Sequence, residues 1–237
     1  MLAAVLAAAF AAVVAGRWRR SRRAAFLAWA VGLVIFAAAA TVQAAGQAFG
    51  FTPALFRAFY LLGGVLGVIY LALGTVFLIA PPRVGRVSAA VLGVLTLALA
   101  ADAAMVPVDP ARLHSPQGIL GQAISQPGSP IFIAAVVFNI VGTVVLVGGS
   151  AWSAWRFVRL RQGADRVLCN VLLTAGALVI AAGFSVAKTA GGTMGQLGTA
   201  ETIGILVMFV GFLSLGRVGQ AARRPIPNPP RGIPPGD

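Results

Sequence analysis

The chain has 237 residues, of which 59% are hydrophobic and only 10% are charged, and its net charge is +13 at pH 7. A soluble domain has about 25% charged residues, so a soluble fold could not hide this much apolar surface, and the bilayer must be the solvent for most of the chain. The single cysteine, Cys169, and the single histidine, His114, exclude an intramolecular disulfide and a structural zinc site of the Cys/His type.

Seven apolar segments follow one another along the chain and predict seven transmembrane helices. They cover residues 2–15, 24–45, 54–79, 87–106, 131–150, 167–187 and 202–215. A spanning helix needs about 20 residues, so the middle five segments fit well, whereas the first and last need flanking residues to complete the span. We therefore predict an all-α membrane protein, a seven-helix bundle over residues 1–217.

The basic residues predict how this bundle is oriented. A signal peptide carries its positive charge before the apolar run, whereas here "RWRRSRR" (17–23) follows it, so we expect the first helix to be retained. Fifteen of the 18 basic residues fall on one side of the predicted bundle, and only Arg57, Arg112 and Lys188 fall on the other. Cytoplasmic loops carry the excess of basic residues, so the N-terminus is predicted outside and the C-terminus in the cytoplasm.

The basic charge does not indicate binding to nucleic acid. The arginines stand in short runs beside apolar segments and form no basic face interleaved with aromatic residues. In a membrane protein this charge meets anionic headgroups instead. We expect the protein to reside in the inner (plasma) membrane as a multi-pass protein.

Two segments outside the helices have a recognisable composition. The outer loop, residues 107–130, contains prolines and glycines that exclude one long helix. Residues 218–237 include "RRPIPNPPRGIPPGD" and predict a proline-rich, disordered cytoplasmic tail.

Residues 22–46 and 165–191 share an arrangement that indicates an internal repeat. Each begins after a basic loop and ends in a small, glycine-bearing outer turn, and Gln43 falls opposite Lys188. Two three-helix units around a central fourth helix would produce this pattern, as parallel repeats do in some transporters.

Small residues form stripes on two of the predicted helices. On the third helix the stripe is Tyr60, Gly64, Gly67, Leu71 and Gly74, and on the fifth it is Ala135, Asn139, Gly142, Leu146, Gly149 and Ser153. Because small residues let helices approach closely in lipid, we expect these stripes to face neighbouring helices and the bulkier faces to meet lipid. A homo-oligomer through the Gly63/Gly67 pair is the alternative to packing inside one bundle.

Polar side chains within or beside the apolar segments are the candidate binding residues. They are Gln43, Gln47, Tyr60, Asp102, Asn139, Lys188 and Glu201. One interpretation is that all but Asn139 line a shallow pocket on the outer side, and the plainer one is snorkelling and capping at the water boundary. Asn139 lies near the middle of the membrane, where its amide must bind a neighbouring helix or a ligand.

Lys188, the single lysine, ends the predicted sixth helix, and Glu201 begins the predicted seventh. We expect these two side chains to form an ion pair across the glycine-rich linker between them. We also expect the helix dipole to favour Glu201 at a helix N-terminus. Lys188 lies too close to the outer surface to hold a chromophore in mid-membrane, as microbial rhodopsins do with a lysine of their last helix.

The sequence contains none of the motifs typical of membrane enzymes. HExxH, GxSxG, a Walker loop and a histidine cluster are all missing from it. We therefore predict a protein that is not an enzyme and needs neither a cofactor nor a metal. The first hypothesis is a sensory or scaffolding module that binds a small or lipidic ligand from the outer side and acts through a partner at the cytoplasmic arginine loops. The second is a small-molecule transporter built from two three-helix repeats.

The order of features in residues 19–86 resembles a known group of proteins. A basic loop leads to "AFLAWAVGLVIFAAAA" and then to "RAFYLLGGVLGVIYLALGTVFLIAPPR". This arrangement looks like uncharacterised small bacterial seven-helix membrane proteins and, more loosely, is similar to the seven-helix sensor module of some bacterial histidine kinases. The resemblance implies a receptor-like membrane module and assigns no functional residue.

Overall fold

Helices make up nearly all of the part of the chain that the computed structural model describes, which is residues 1–115, 118–126, 128–160, 164–189 and 192–221. Seven of these helices are each long and apolar enough to cross a membrane. We name them α1 Leu2–Ser21, α2 Ala24–Phe49, α3 Pro53–Ile79, α4 Pro82–Met105, α5 Pro130–Arg159, α6 Ala164–Thr189 and α7 Met194–Ala221. The predicted all-α, seven-helix architecture is confirmed. From residue 222 onward the predicted tail lies outside the described residues.

The start of α7 differs from the sequence prediction, because the helix begins at Met194 and not near residue 202. Thr193 and Gln196 form a reciprocal capping box. The Thr193 amide donates to Gln196 Oε1 at 2.9 Å, and the Gln196 amide donates to Thr193 Oγ1 at 3.1 Å. Glu201 therefore lies about two turns inside the helix, and the prediction that it occupies a helix N-terminus is wrong.

Six of the helices contact one another in a closed ring, in the order α1, α2, α3, α5, α6, α7 and back to α1. The third helix of each half thus packs against the first helix of the other half, an arrangement consistent with a parallel repeat. α4 packs mainly against the edge formed by α3 and α5, and most of its surface stays exposed. The fourth helix is therefore peripheral and not central as the repeat hypothesis expects.

The bundle has two ends, which we name by their contents. The Met1 face contains Met1 and the connections that follow α2, α4 and α6. There, Gln47 Nε2 donates to the Met194 carbonyl at 3.0 Å, and Arg57 donates to the Val106 carbonyl at 3.0 Å. The arginine face contains the connections that follow α1, α3 and α5.

Small residues hold the helices of the ring close together. The α3 stripe from Tyr60 to Gly74 is buried, as predicted. Between α6 and α7, a Cβ added to Gly176 or to Gly204 would overlap the carbonyl oxygen of the other glycine. The buried glycines of α3 thus lie inside the bundle of one chain, as predicted.

The loop between α4 and α5 folds back onto the Met1 face. Val108 and Ile124 form an isolated antiparallel bridge, and the helical turns in the described part of this loop are all short, as predicted. Gly121 has φ of +131°, a conformation that side-chain-bearing residues rarely adopt, and it turns the chain so that Ile119 and Leu120 are buried.

Candidate functional site

A cavity of about 580 Å³ lies inside the ring, bounded by α2, α3, α5, α6 and α7. Ligand pockets typically measure about 300–1,000 Å³, so its volume suits a small molecule or a single alkyl chain. Most of the lining is apolar and includes Phe36, Ala177, Ile180, Phe184 and Met208.

The cavity opens sideways between α5 and α6. Every lining residue that is exposed belongs to one of these two helices, namely Val136, Asn139, Ile140, Val144, Ser185 and Lys188. The other lining residues, on α2, α3, α7 and the loop, are buried or half-buried. Because both helices are apolar enough to cross a membrane, the opening faces the region that lipid chains would occupy.

The loop between α4 and α5 covers the end of the cavity at the Met1 face. Leu120 lines the cavity and packs in one buried cluster with Phe59, Ala187 and Leu197. An added Cβ at Gly121 would lie 3.3 Å from the Tyr60 hydroxyl, so the turn sits directly against the cavity wall. With this end covered, the exposed lining residues mark the side between α5 and α6 as the open route into the cavity.

The α3 wall of the cavity contains a break in the regular α-helix. Residues Tyr60–Leu66 form a π-helical segment, and the Gly67 amide bonds to the Leu62 carbonyl five residues back. Asn139 Nδ2 donates to the Gly64 carbonyl at 2.6 Å and to the Ala135 carbonyl of its own helix at 2.7 Å. Asn139 thus acts as the interhelical contact expected of it, and it also lines the cavity. Single-turn π segments are frequent at functional sites.

Glu201 is the deepest charged residue of the site, with 5% of its surface exposed. With the Gln43 amide oriented to donate, its nitrogen lies 2.8 Å and 3.2 Å from the two Glu201 carboxylate oxygens. Glu201 lines the cavity that opens between α5 and α6, which we call the lateral cavity. It also lines a second cavity of about 400 Å³ at the Met1 face, which Gln43 and Gln47 line as well. The Gln43–Glu201 pair therefore stands between the two cavities.

Six of the seven predicted binding residues line these two cavities. Tyr60, Asn139 and Lys188 line the lateral cavity, Gln43 and Gln47 line the second, and Glu201 lines both. Asp102 lies in neither lining. Its carboxylate accepts a hydrogen bond from the Ile131 amide at 2.9 Å, so it caps the first turn of α5.

The expected ion pair between Lys188 and Glu201 is not formed. Within the described residues, the only ion pair joins Arg112 and Asp109 at 3.2 Å. Lys188 is exposed, whereas Glu201 is turned inward from an interior position of α7. The pairing failed because α7 starts earlier than predicted, which places Glu201 deeper than the end of α6.

Two polar residues of the lateral cavity escaped the sequence prediction. Ser185 lies one turn before Lys188 on the same face of α6, and Thr143 lies one turn after Asn139 on α5. A spacing of three or four residues from a predicted site residue was the signal that could have found both. No cluster of three or more metal-ligating side chains occurs in the portion of the chain that the structure describes.

No family model, curated protein or solved structure matches this chain. The similarity to sensor modules of histidine kinases consequently remains a prediction. The functional argument rests on the geometry of the two cavities.

Proposed function

We propose that this protein is a non-enzymatic sensory or scaffolding module that binds an amphiphilic ligand in the lateral cavity. The observation that carries the proposal is the side opening between α5 and α6. An apolar cavity that opens toward lipid and contains a buried carboxylate, Glu201, suits a molecule with an alkyl chain and a polar head. Such a molecule would enter from the bilayer without crossing water.

The proposed setting is the inner (plasma) membrane of a bacterium, with the Met1 face outside. The support is the distribution of basic residues, since fifteen of 18 lie toward the arginine face or the C-terminal tail. Ligand binding would then occur in the outer half of the membrane. A partner protein would contact the arginine face, where Trp152, Trp155 and Arg159 are exposed.

Photocrosslinking of a diazirine-bearing alkyl chain to the protein in phosphatidylcholine nanodiscs tests this proposal. We expect crosslinks concentrated on α5 and α6 residues that line the cavity, and we expect Ala181→Phe to reduce them severalfold by filling it. Val94→Phe is the matched control, because Val94 is 68% exposed on α4 and lies outside both cavities. Uniform labelling of all lipid-facing helices, unchanged by Ala181→Phe, would contradict the proposal.

Two observations support a second candidate function, the transport of a small molecule. α3 is interrupted by its π segment beside the cavity, and transporter sites are often formed by discontinuous helices. In addition, the Gln43–Glu201 pair separates a cavity open to the side from one at the Met1 face. Proteoliposomes that release a loaded amphiphile faster than vesicles with the Ala181→Phe variant would favour transport over sensing.

A further inference from the structure

Glu201 has no cationic partner among the described residues. Its carboxylate meets the neutral amide of Gln43, and neither Lys188 nor the Met1 amino group lies within ion-pair distance. Lys188 is exposed at the opening between α5 and α6, whereas Glu201 is buried. The fold therefore buries a carboxylate with no cation in contact with it, and the Met1 amino group, which lines the second cavity, acts on it only from beyond ion-pair distance.

A buried carboxylate without an ion-pair partner lowers the stability of the folded protein. Buried charges are normally paired, and removing the partner of a buried pair is strongly destabilising. Ionisable residues inside membrane spans commonly mark substrate or ion sites for this reason.

From this geometry we propose that the ligand of the lateral cavity is an amphiphile whose polar head is a cationic amine, bound by Glu201. The inference rests on the proposed binding function and narrows it to one class of ligand. The amine forms a charge-assisted hydrogen bond to the carboxylate, which Gln43 holds in place. The alkyl chain lies along Ala177, Ile180 and Met208 and leaves between α5 and α6.

The neighbouring cavity supports the same assignment. Its lining includes Gln43, Gln47, Thr199 and Thr202 beside apolar residues and Met1, so a polar head would find hydrogen-bonding groups on that side of Glu201. A head larger than a primary ammonium could extend in that direction. A carboxylate or sulfate head would instead bring a second negative charge to Glu201, which opposes binding.

The test compares three twelve-carbon probes, dodecylamine, dodecanol and dodecanoate, by the rise in unfolding temperature that each causes in phosphatidylcholine nanodiscs. We expect dodecylamine to bind the wild-type protein at least tenfold more tightly than dodecanol. In Glu201→Gln, which keeps the shape of the side chain, the ratio should fall to about one. Asp102→Asn is the matched control, because it also neutralises a carboxylate but lies in neither cavity, and it should keep the ratio.

Two results would overturn the inference. The first is an amine preference that survives in Glu201→Gln. The second is tightest binding of dodecanoate, lost in Lys188→Gln, which would assign an anionic ligand to Lys188. The proposed function fails separately, if Ala181→Phe leaves the binding of all three probes unchanged.

The ligand-free variant gives an independent readout. Because the carboxylate serves the ligand and not the fold, we expect ligand-free Glu201→Gln to unfold at the same temperature as the wild-type protein or above it. A clear fall in its unfolding temperature would mean that the Glu201 charge is structural, and would count against the inference.

Discussion

The two sides of α5 contact their neighbouring helices in opposite ways. Toward α3, glycines at positions 142 and 149 let the backbones approach closely, and Asn139 ties the helices together. Toward α6, Val136, Ile140 and Val144 remain exposed beside the cavity. α5 thus packs closely against α3 on one side and forms a wall of the cavity on the other. Small side chains allow the close packing, and larger side chains line the cavity.

The largest loss of stability is expected from Gly142→Leu, which adds a bulky side chain where α5 packs closely against α3. A Cβ at this position would already lie 2.9 Å from Val68 and 3.2 Å from the Ile69 amide nitrogen. Overpacking of this kind should lower the free energy of unfolding by about 3 kcal/mol. Gly148→Leu is the control, since nothing lies within 4 Å of its added Cβ.

Both leucine variants would be compared by denaturant titration in detergent micelles. Equal losses of stability in Gly142→Leu and Gly148→Leu would show that α3 and α5 can move apart without a further loss of stability. That result would contradict the contrast between the two sides of α5.

The next largest loss of stability is expected from shortening a buried side chain of α5. Leu146 is 5% exposed and packs in a cluster with Leu71, Cys169 and Leu173. Leu146→Ala should lower the free energy of unfolding by about 2 kcal/mol, because the space that it leaves is only partly refilled. The same titration measures it, and a loss below about 0.5 kcal/mol would contradict the expectation.

Loss of the interhelical hydrogen bond should cost less. Asn139→Leu removes the donor to the Gly64 carbonyl and should lower the free energy of unfolding by about 1 kcal/mol, a usual value for such bonds in membrane proteins. Thr41→Val is the control, because the Thr41 hydroxyl bonds only to the Ala37 carbonyl of its own helix at 2.8 Å. If both variants lose the same stability, Asn139 does not stabilise the α3–α5 contact.

The smallest effect is expected on the cavity side. Ile140 is 61% exposed, so Ile140→Ala removes few packed contacts and should change the free energy of unfolding by less than about 0.5 kcal/mol. Comparison with Leu146→Ala therefore measures the difference between a buried and an exposed side chain of α5 directly. A loss as large as that of Leu146→Ala would mean that α6 closes onto α5 in solution.

The buried small-residue stripe of α3 could be predicted from its spacing, because residues three and four apart share a helix face. The same rule placed Asn139 against a neighbouring helix. It could not find the π segment at Tyr60–Leu66, which changes the phase of that face by one residue. The spacing rule also could not distinguish Val136 and Ile140, which border the cavity, from residues that only face lipid, because residues of either kind are apolar and exposed.

The position of Glu201 shows where local sequence reasoning went wrong. The glycine-rich run before it predicts a linker, although "TMGQ" carries the Thr and Gln of a capping box that starts α7 at Met194. That error of about two turns produced the expected pair with Lys188. The pairing with Gln43 depends on how α2 packs against α7, which no local pattern contains.

The sequence by itself determined the seven helices, because 20-residue apolar runs have no other stable arrangement for their backbone groups in a bilayer. It also determined which faces of α3 could be packed closely. Only the tertiary structure decided that α4 lies at the edge, that α5 and α6 leave a cavity between them, and that Glu201 lines it. These outcomes depend on contacts between residues far apart in the chain, where small differences in side-chain volume choose among similar helix arrangements.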